Sequence, residues 1–353
     1  MTKILFLYQY AVLGGCTTQL RNRMALTGLG IEPHFVFARE HGGTKAFGDY
    51  PHVKSEITDD QLKALILQNG FEVVSVLDAP GYLRLLAEMN FKGKIVCEVH
   101  TTYPKALEYL ADDNLMSAVD MFITPSQYQM NMIKERSQAA LSVPVQVVPD
   151  CIDADLFRPV DIFPESPHPI VLWVGKLDDH KNWRGFLSMA RGIAAERPDT
   201  EFWMVGGEAA GDDVVSKLLS EMTDKDLASS LRWIGRVEHD RMPPLYSLVA
   251  RRQGCMLVTS HGESFCTAAV EAMFCGCPVV APRHTALPEI VCHETHGLLY
   301  APGDERDAVD QTIRLLSDKQ LWASIAARDA NELPGRFGTT EVLRKLRDVF
   351  EKI

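Results

Sequence analysis

Short apolar runs alternate with helix-length segments along almost the whole chain. In the first half the runs are KILFLY, HFVFA, EVVSVL, KIVCEVH, MFITP and VQVVP, and in the second half they are IVLWVG, EFWMVGG, LRWIG, CMLVTS and PVVAP. Apolar runs that are bounded by turns and separated by helical segments are typical of parallel sheets covered by helices. The sequence therefore predicts an α/β protein in which this alternation occurs twice.

A proline-rich stretch, FRPVDIFPESPHP, separates the two halves. Proline stiffens the backbone and removes a hydrogen-bond donor, so this stretch is typical of a linker. The length of 353 residues also suits two cores. We predict one domain over 1–160, a second over 161–337, and a C-terminal helix over 338–353. The apolar stripe of that helix is expected to pack back onto the first domain.

Composition excludes several classes of protein. The net charge is −11, with 36 Lys and Arg against 47 Asp and Glu, which argues against a nucleic-acid partner. No apolar run approaches the roughly 18 residues of a transmembrane segment, and MTKILFLYQYAVLGG lacks a signal-peptide cleavage site. We therefore predict a cytoplasmic protein without a transmembrane segment.

The chain has eight cysteines, and five of them share one segment with several histidines. A zinc site would favour a closely spaced C-x-x-C pair, which this segment lacks. Buried, reduced thiols are the favoured interpretation of these cysteines, with a zinc site as the alternative.

Two stretches follow predicted strands in the second half. In LWVGKLDDHKN, Lys176 and Lys181 flank an acidic loop ahead of a helix, where two cations would suit a diphosphate. Two exposed surface lysines are the alternative. In WMVGGEAAGDD a glycine pair follows a strand, but neither G-x-G-x-x-G in a dinucleotide-binding context nor a P-loop is present, which disfavours NAD.

The stretch HGESFCTAAVEAMFCGCPVVA carries two glutamates in apolar surroundings. Glu263 falls in a loop before a predicted helix, and Glu271 falls inside that helix, which Gly276 ends. Backbone N–H groups near Cys266 and Thr267, at the helix start, could hold an anion between the two carboxylates. The order carboxylate, anion site, carboxylate suits one elongated ligand that carries a sugar, a diphosphate and a ribose. The alternative is a capping glutamate and a helix carboxylate that reaches solvent.

The same stretch resembles the signature of retaining GT-B glycosyltransferases of the glycosyltransferase group 1 (family 4) type. Further similarities to that family follow in order along the chain: VPDCIDADLFRP, VGKLDDHKN, LRWIGRVEHDRMPPLYS and PEIVCHETHGLLYAPGD. The resemblance implies a GT-B fold, with two Rossmann-like domains whose parallel sheets face each other across a deep cleft. It assigns the acceptor to the first domain and the nucleotide sugar to the second.

The resemblance also implies roles for individual residues. Glu271 would bind the ribose, Glu263 the transferred sugar, and Lys176 with Lys181 the diphosphate. His100, Lys181 and Glu263 would be catalytic. The remaining implied donor contacts are Gly14, Gly15, Ser264, Phe265, Cys266 and Thr267. The family usually has glycine at the position of Cys266, glycine or another small residue at that of Ser264, and arginine at that of Lys176. These differences could tune donor choice or weaken binding.

The implied reaction transfers a sugar from a nucleotide-diphosphate sugar to an acceptor hydroxyl, with retention and without metal or cofactor. A non-catalytic nucleotide-sugar-binding protein and a GT-B nucleotide-sugar epimerase are the alternatives. The acceptor (glycan, lipid or small molecule), the donor's base and sugar, and the oligomeric state stay open. The stretch HGGTKAFGDYPH, residues 41–52, is a candidate acceptor loop.

Overall fold

The computed structural model describes residues 1–12, 14–161 and 168–353. The centre of the predicted linker, 162–167, lies outside the described residues. The chain forms two compact units. The first unit comprises Met1–Cys151 and Thr339–Ile353, and the second comprises Ile152–Gly338.

A parallel sheet forms the centre of the first unit, and β1 lies in its middle. Its strand order over the described residues is β3-β2-β1-β4-β5-β6-β7. The side chains from Ile4 to Leu7 are fully buried because helices cover both faces of β1. The strands are β1 Thr2–Val12, β2 Ile31–His41, β3 Val53–Ser55, β4 Val73–Leu77, β5 Lys94–Glu98, β6 Met121–Thr124 and β7 Val145–Val147.

Side-chain caps mark the start of α2, α4 and α5 in this unit. Thr58 and Gln61 form a reciprocal capping box at the start of α2, and the Ser126 side chain accepts a hydrogen bond from Gln129 N at the start of α5. The helices are α1 Gly15–Asn22, α2 Asp59–Asn69, α3 Pro80–Glu88, α4 Asp113–Met116 and α5 Gln127–Arg136. Short 3₁₀ segments cover Arg23–Leu29, Gly43–Phe47, Pro104–Ala111 and Ala139–Leu141.

The second unit repeats this plan with a sheet of order β10-β9-β8-β11-β12-β13 over its described residues. All its pairings are parallel, and β8 pairs with both β9 and β11. The strands are β8 Ile170–Val174, β9 Glu201–Val205, β10 Leu231–Ile234, β11 Cys255–Leu257, β12 Val279–Pro282 and β13 Leu298–Tyr300. The helices are α6 Trp183–Glu196, α7 Asp212–Asp224, α8 Met242–Arg251, α9 Thr267–Phe274, α10 Leu287–Ile290, α11 Glu305–Ser317 and α12 Lys319–Phe337; a 3₁₀ turn, His239–Arg241, precedes α8.

The last helix, α13 (Thr339–Phe350), belongs to the first unit. Its buried side chains, among them Leu346 and Phe350, join the core around β1 and β2, where the rings of Phe350 and Phe6 are 6.0 Å apart.

The structure divides the chain after Cys151, whereas the sequence predicts the boundary at residue 160. Ile152 N donates a hydrogen bond to Phe337 O at 2.8 Å, and the side chains of Ile152 and Phe157 pack in the core of the second unit. Residues from Ile152 onward therefore belong to the second unit before the proline-rich stretch begins.

Within the described residues, none of the helices has the length and apolar character needed to cross a bilayer.

Candidate functional site

Lys181 and Glu263 lie in loops that follow neighbouring strands, β8 and β11. Lys181 Nζ donates a hydrogen bond to Glu263 Oε1 at 2.5 Å. The backbone of Lys181 is held on both sides, because its N–H bonds to Asp178 Oδ1 at 2.9 Å and its carbonyl accepts a hydrogen bond from Thr259 Oγ1 at 2.9 Å. The carboxyl ends of adjacent parallel strands meet at one sheet edge, which brings this cation and carboxylate together.

The main chain of Glu263 is anchored to the loop after β12. Glu263 N donates to Thr285 Oγ1 at 3.2 Å, and Glu263 O accepts a hydrogen bond from Ala286 N at 3.3 Å. The residue is only 8% exposed. A carboxylate with so little access to water needs a counter-charge, which Lys181 supplies.

Cys266 precedes α9 and adopts a left-handed backbone conformation, with φ 82° and ψ 66°. This conformation favours glycine, because a Cβ crowds the following carbonyl there. The thiol is buried, and burial together with the nearby Glu263 carboxylate raises its pKa to about 12. Cys266 is therefore a neutral, poorly reactive thiol that occupies a strained backbone position.

Glu271 is buried on α9 and has two polar partners. Its Oε1 lies 3.0 Å from His239 Nε2, and its Oε2 accepts a hydrogen bond from the Tyr246 hydroxyl at 3.3 Å. The ring of His239 packs against Phe157, with centroids 5.1 Å apart. Burial, and then the Glu271 charge, raise the pKa of Tyr246 well above its usual value, so the hydroxyl remains a donor. These contacts hold the carboxylate in one orientation.

The other predicted donor contacts of this unit have different surroundings. Lys176 is exposed, and no ion-pair partner lies near it in the part of the chain that the structure describes. Ser264 is half-buried, and Phe265 is buried with its ring 5.2 Å from that of Phe337. Thr267 is the first residue of α9.

The glycine pair after β9 allows two loops to approach each other. Gly206 has φ 112°, and a Cβ there would overlap the carbonyl oxygen of Gly175 at the end of β8. Gly207 has φ 85°, and a Cβ there would overlap the side chain of Leu177. A side chain at either position would displace the loop that carries Lys176 and Lys181.

In the first unit, His100 lies among buried charges after β5. His100 Nε2 is 3.1 Å from Glu98 Oε2, and His100 Nδ1 is 3.4 Å from Asp150 Oδ1. Arg23 binds both oxygens of Glu98, at 2.6 and 2.7 Å. Burial opposes protonation of His100, but Asp150 and Glu98 outweigh it and hold the His100 pKa well above its usual value. Burial likewise opposes ionisation of Glu98, and Arg23 and His100 hold the Glu98 pKa well below its usual range.

Asp78 fixes the backbone at His100. His100 N donates to Asp78 Oδ1 at 3.1 Å, and burial raises the pKa of Asp78 to about 6. Gly14 precedes α1, and Gly15 is its first residue. A Cβ at Gly14 would meet nothing within 4 Å, so open space surrounds this position.

The described residues contain one group of side chains spaced to hold a metal ion: Glu32, His34 and His52, on β2 and beside β3. No predicted site residue belongs to it, and neither does any cysteine. Cys292 is exposed, Cys16 is half-buried, and the other six cysteines are buried.

Lys181, Glu263 and Cys266, which the sequence predicts as donor contacts, lie close together in the structure. The sequence did not identify the partners of Glu271 or the ion cluster around His100. The carboxylate within the apolar run KIVCEVH was a signal for Glu98, because side chains two residues apart in an extended chain, such as those of Glu98 and His100, lie on the same side. No local signal linked His239 and Tyr246 to a carboxylate on another helix.

Comparisons with known proteins agree with this architecture. Over 110 residues, 31% of this chain, it is 32% identical to a probable sucrose-phosphate synthase 2 of Oryza sativa subsp. japonica, but the match spans only 11% of that protein. Over 84% of this chain it is 26% identical to phosphatidyl-myo-inositol mannosyltransferase of Mycolicibacterium smegmatis, of which the match covers 75%. The crystal structure of Anabaena Alr3699/HepE in complex with UDP-glucose superimposes with a TM-score of 0.84, at 19% identity and with both chains fully covered.

Two α/β units, each with a parallel sheet, form a GT-B fold, which the HepE structure shares. Residues 160–331 match the family described as glycosyl transferases group 1. This match lies within the second unit and agrees with the resemblance found in the sequence.

Proposed function

We propose that the protein transfers a sugar from a nucleotide-diphosphate sugar to an acceptor hydroxyl, with retention of anomeric configuration and without a metal ion. The second unit binds the donor and the first unit binds the acceptor. The reaction takes place in the cytoplasm, the compartment that the sequence predicts.

The contact between Lys181 and Glu263 is the observation that carries this proposal. Lys181 Nζ lies 2.5 Å from Glu263 Oε1, directly ahead of the N-terminus of α9. In the donor complex, Glu263 accepts hydrogen bonds from hydroxyls of the transferred sugar. Lys181 then stabilises the diphosphate, whose negative charge grows as the glycosidic bond breaks. Ser264, Phe265, Cys266 and Thr267 line the approach to those phosphates.

Glu271 accepts hydrogen bonds from the ribose hydroxyls of the donor. His239 and Tyr246 orient its two oxygens, so little orientational freedom is lost on binding. The fixed carboxylate selects nucleotides that carry both ribose hydroxyls.

His100 acts in this proposal as a hydrogen-bond donor to the transferred sugar. Its pKa is held well above the usual value, so at neutral pH it is an imidazolium and unsuited to abstract a proton. Gly14 and Gly15 leave the first loop open for donor phosphate or acceptor.

Positive charge for the leaving group comes from Lys181, from the exposed Lys176 and from the N-terminus of α9. Developing charge on a diphosphate can be stabilised by such groups in place of a metal ion. Activity is therefore expected to persist in excess chelator.

A donor assay tests the proposed function. Purified protein is incubated with UDP-glucose and a panel of acceptors, with release of UDP as the readout, because a structural relative was crystallised with this donor. Proton NMR of the product reads the anomeric configuration. Binding of UDP without turnover would instead support a non-catalytic nucleotide-sugar binder, and appearance of a C2-epimer of the sugar would support an epimerase.

A further inference from the structure

A pocket of 760 Å³ opens in the first unit at the carboxyl edge of its sheet. It is lined by Tyr8 and Tyr10 near the end of β1, Asp78 after β4, and Tyr103 after β5. The carboxyl ends of parallel strands are the usual binding edge of such sheets, and this volume falls within the roughly 300–1,000 Å³ of small-molecule sites. The candidate acceptor loop, 41–52, contributes none of the described lining residues, and its Phe47 is buried against Phe35.

Two tyrosines on the rim of this pocket are unusually accessible. Tyr10 is 42% exposed and Tyr103 is 43% exposed, and both are among the exposed large apolar side chains of the chain. A single exposed aromatic ring has little significance, but two rings that flank one pocket offer flat apolar surfaces to a ligand. The C–H face of a pyranose ring is apolar and matches such a surface.

The charged groups of the pocket carry both signs. Arg84, Lys105 and Glu108 line it, and the described residues provide none of them with an ion-pair partner. Asp78 and Asp112 add carboxylates that are held by backbone hydrogen bonds from His100 and Leu115. Charged groups of both signs suit a neutral ligand with many hydroxyls, whereas the three carboxylates outnumber the two cations and disfavour a phosphate.

Apolar aliphatic lining is sparse. Among the described residues that line the pocket, only Pro80 and Ala106 are aliphatic, which offers little surface for an acyl chain.

We propose that this pocket binds the acceptor and that the acceptor is a neutral saccharide whose ring stacks on Tyr10 and Tyr103. This proposal rests on the proposed glycosyl transfer, because it assigns the acceptor of that reaction.

Saturation-transfer NMR with UDP present tests the proposal. The probes are methyl α-glucoside, methyl α-mannoside, methyl β-galactoside, maltose and lactose, with glycerol 3-phosphate as the anionic comparison. At least one saccharide is expected to bind, and Tyr10→Ala or Tyr103→Ala is expected to weaken it about tenfold, the loss of one stacking contact. Tyr10→Phe and Tyr103→Phe keep the ring and are expected to bind as the unaltered protein does.

Leu67→Ala is the matched control, because Leu67 is an exposed apolar residue of α2 that does not line the pocket. The affinity for UDP should be equal in all these variants. If UDP binds but no saccharide does, or if the alanine variants bind saccharides normally, the pocket proposal is wrong and the donor assignment stands. Binding of glycerol 3-phosphate that is lost in Arg84→Ala and Lys105→Ala would also overturn it. If none of UDP, GDP, ADP and TDP binds to the unaltered protein, the proposed function fails.

Discussion

Lys181 and Glu263 form an ion pair, 2.5 Å from Nζ to Oε1, although 82 residues separate them in the sequence. The glutamate side chain is only 10% exposed and the lysine side chain is 26% exposed. A pair so shielded from water is coupled more strongly than a surface pair, so each partner depends on the other. In the proposed reaction the incoming donor must replace this contact with its own.

Lys181→Ala should abolish most of the transferase activity. Loss of one group that stabilises the leaving charge costs about 10²–10³ in turnover, and the substitution also leaves Glu263 without its counter-charge. Initial rates of UDP release measure the effect. Lys217→Ala is the control, because Lys217 is 59% exposed on α7. Near-normal turnover by Lys181→Ala would contradict the assigned role.

Glu271→Ala should weaken nucleotide binding about tenfold, the loss of one or two hydrogen bonds to a charged group. Isothermal titration with UDP and with 2′,3′-dideoxy-UDP separates this effect from general damage. The unaltered protein should prefer UDP, whereas Glu271→Ala should bind both nucleotides equally. A variant that still discriminates between them would exclude the ribose role. Tyr246→Phe, which removes one supporting hydrogen bond, should give an intermediate preference.

The strands could be predicted from sequence because buried parallel strands are continuous apolar runs. Four strands have only three residues each. Of these, β7 and β11 lie within the longer apolar runs VQVVP and CMLVTS and could be predicted, whereas β3 and β13 were not predicted. The predicted boundary between the two units lies too far along the chain. Proline content marks a linker by composition, whereas the structural boundary depends on where Ile152 and Phe157 pack. Packing partners that are distant in sequence leave no local signal.

The site also contains residues that the sequence reveals and partners that it does not. Lys181, Glu263 and Glu271 stand out because charged residues beside apolar strands and helices require a reason. Their partners do not stand out, since pairing of Lys181 with Glu263 depends on β8 and β11 being neighbours in the sheet. Strand order is set by the whole fold, so this contact becomes visible only in three dimensions.

The ion cluster around His100 predicts a pH-dependent stability of the first unit. The folded pKa of His100 is raised, so its contribution to stability is complete below about pH 6.5 and is lost as pH rises toward the folded pKa. The charges that face His100 are those of Glu98, Asp150, Asp78 and Arg23. Because Glu98 and Asp150 stabilise the imidazolium, His100→Gln should remove the loss of stability that accompanies rising pH.

Hydrogen exchange of the β5 amides, compared between the two proteins at each pH from 6 to 9, measures the local free energy of unfolding. The advantage of the unaltered protein over His100→Gln should shrink as pH increases. The exposed His41→Gln variant serves as the control. A difference that stays constant, or that grows with pH, would contradict the raised pKa.

The left-handed backbone of Cys266 predicts that glycine is more stabilising than alanine at this position, the reverse of the usual order. At φ 82° any residue with a Cβ is strained by about 1–2 kcal/mol, whereas glycine is not. Glycine loses about 0.5–1 kcal/mol through its more flexible unfolded chain, so Cys266→Gly should be more stable than Cys266→Ala by about 1 kcal/mol. Both variants lose the buried thiol, so this comparison isolates the backbone strain.

Urea unfolding followed by tryptophan fluorescence measures the difference in stability between the two variants, because all five tryptophans belong to the second unit. At Cys255, inside β11, the alanine variant should instead be the more stable of the corresponding pair. If alanine were also favoured at position 266, the left-handed conformation of Cys266 would be wrong.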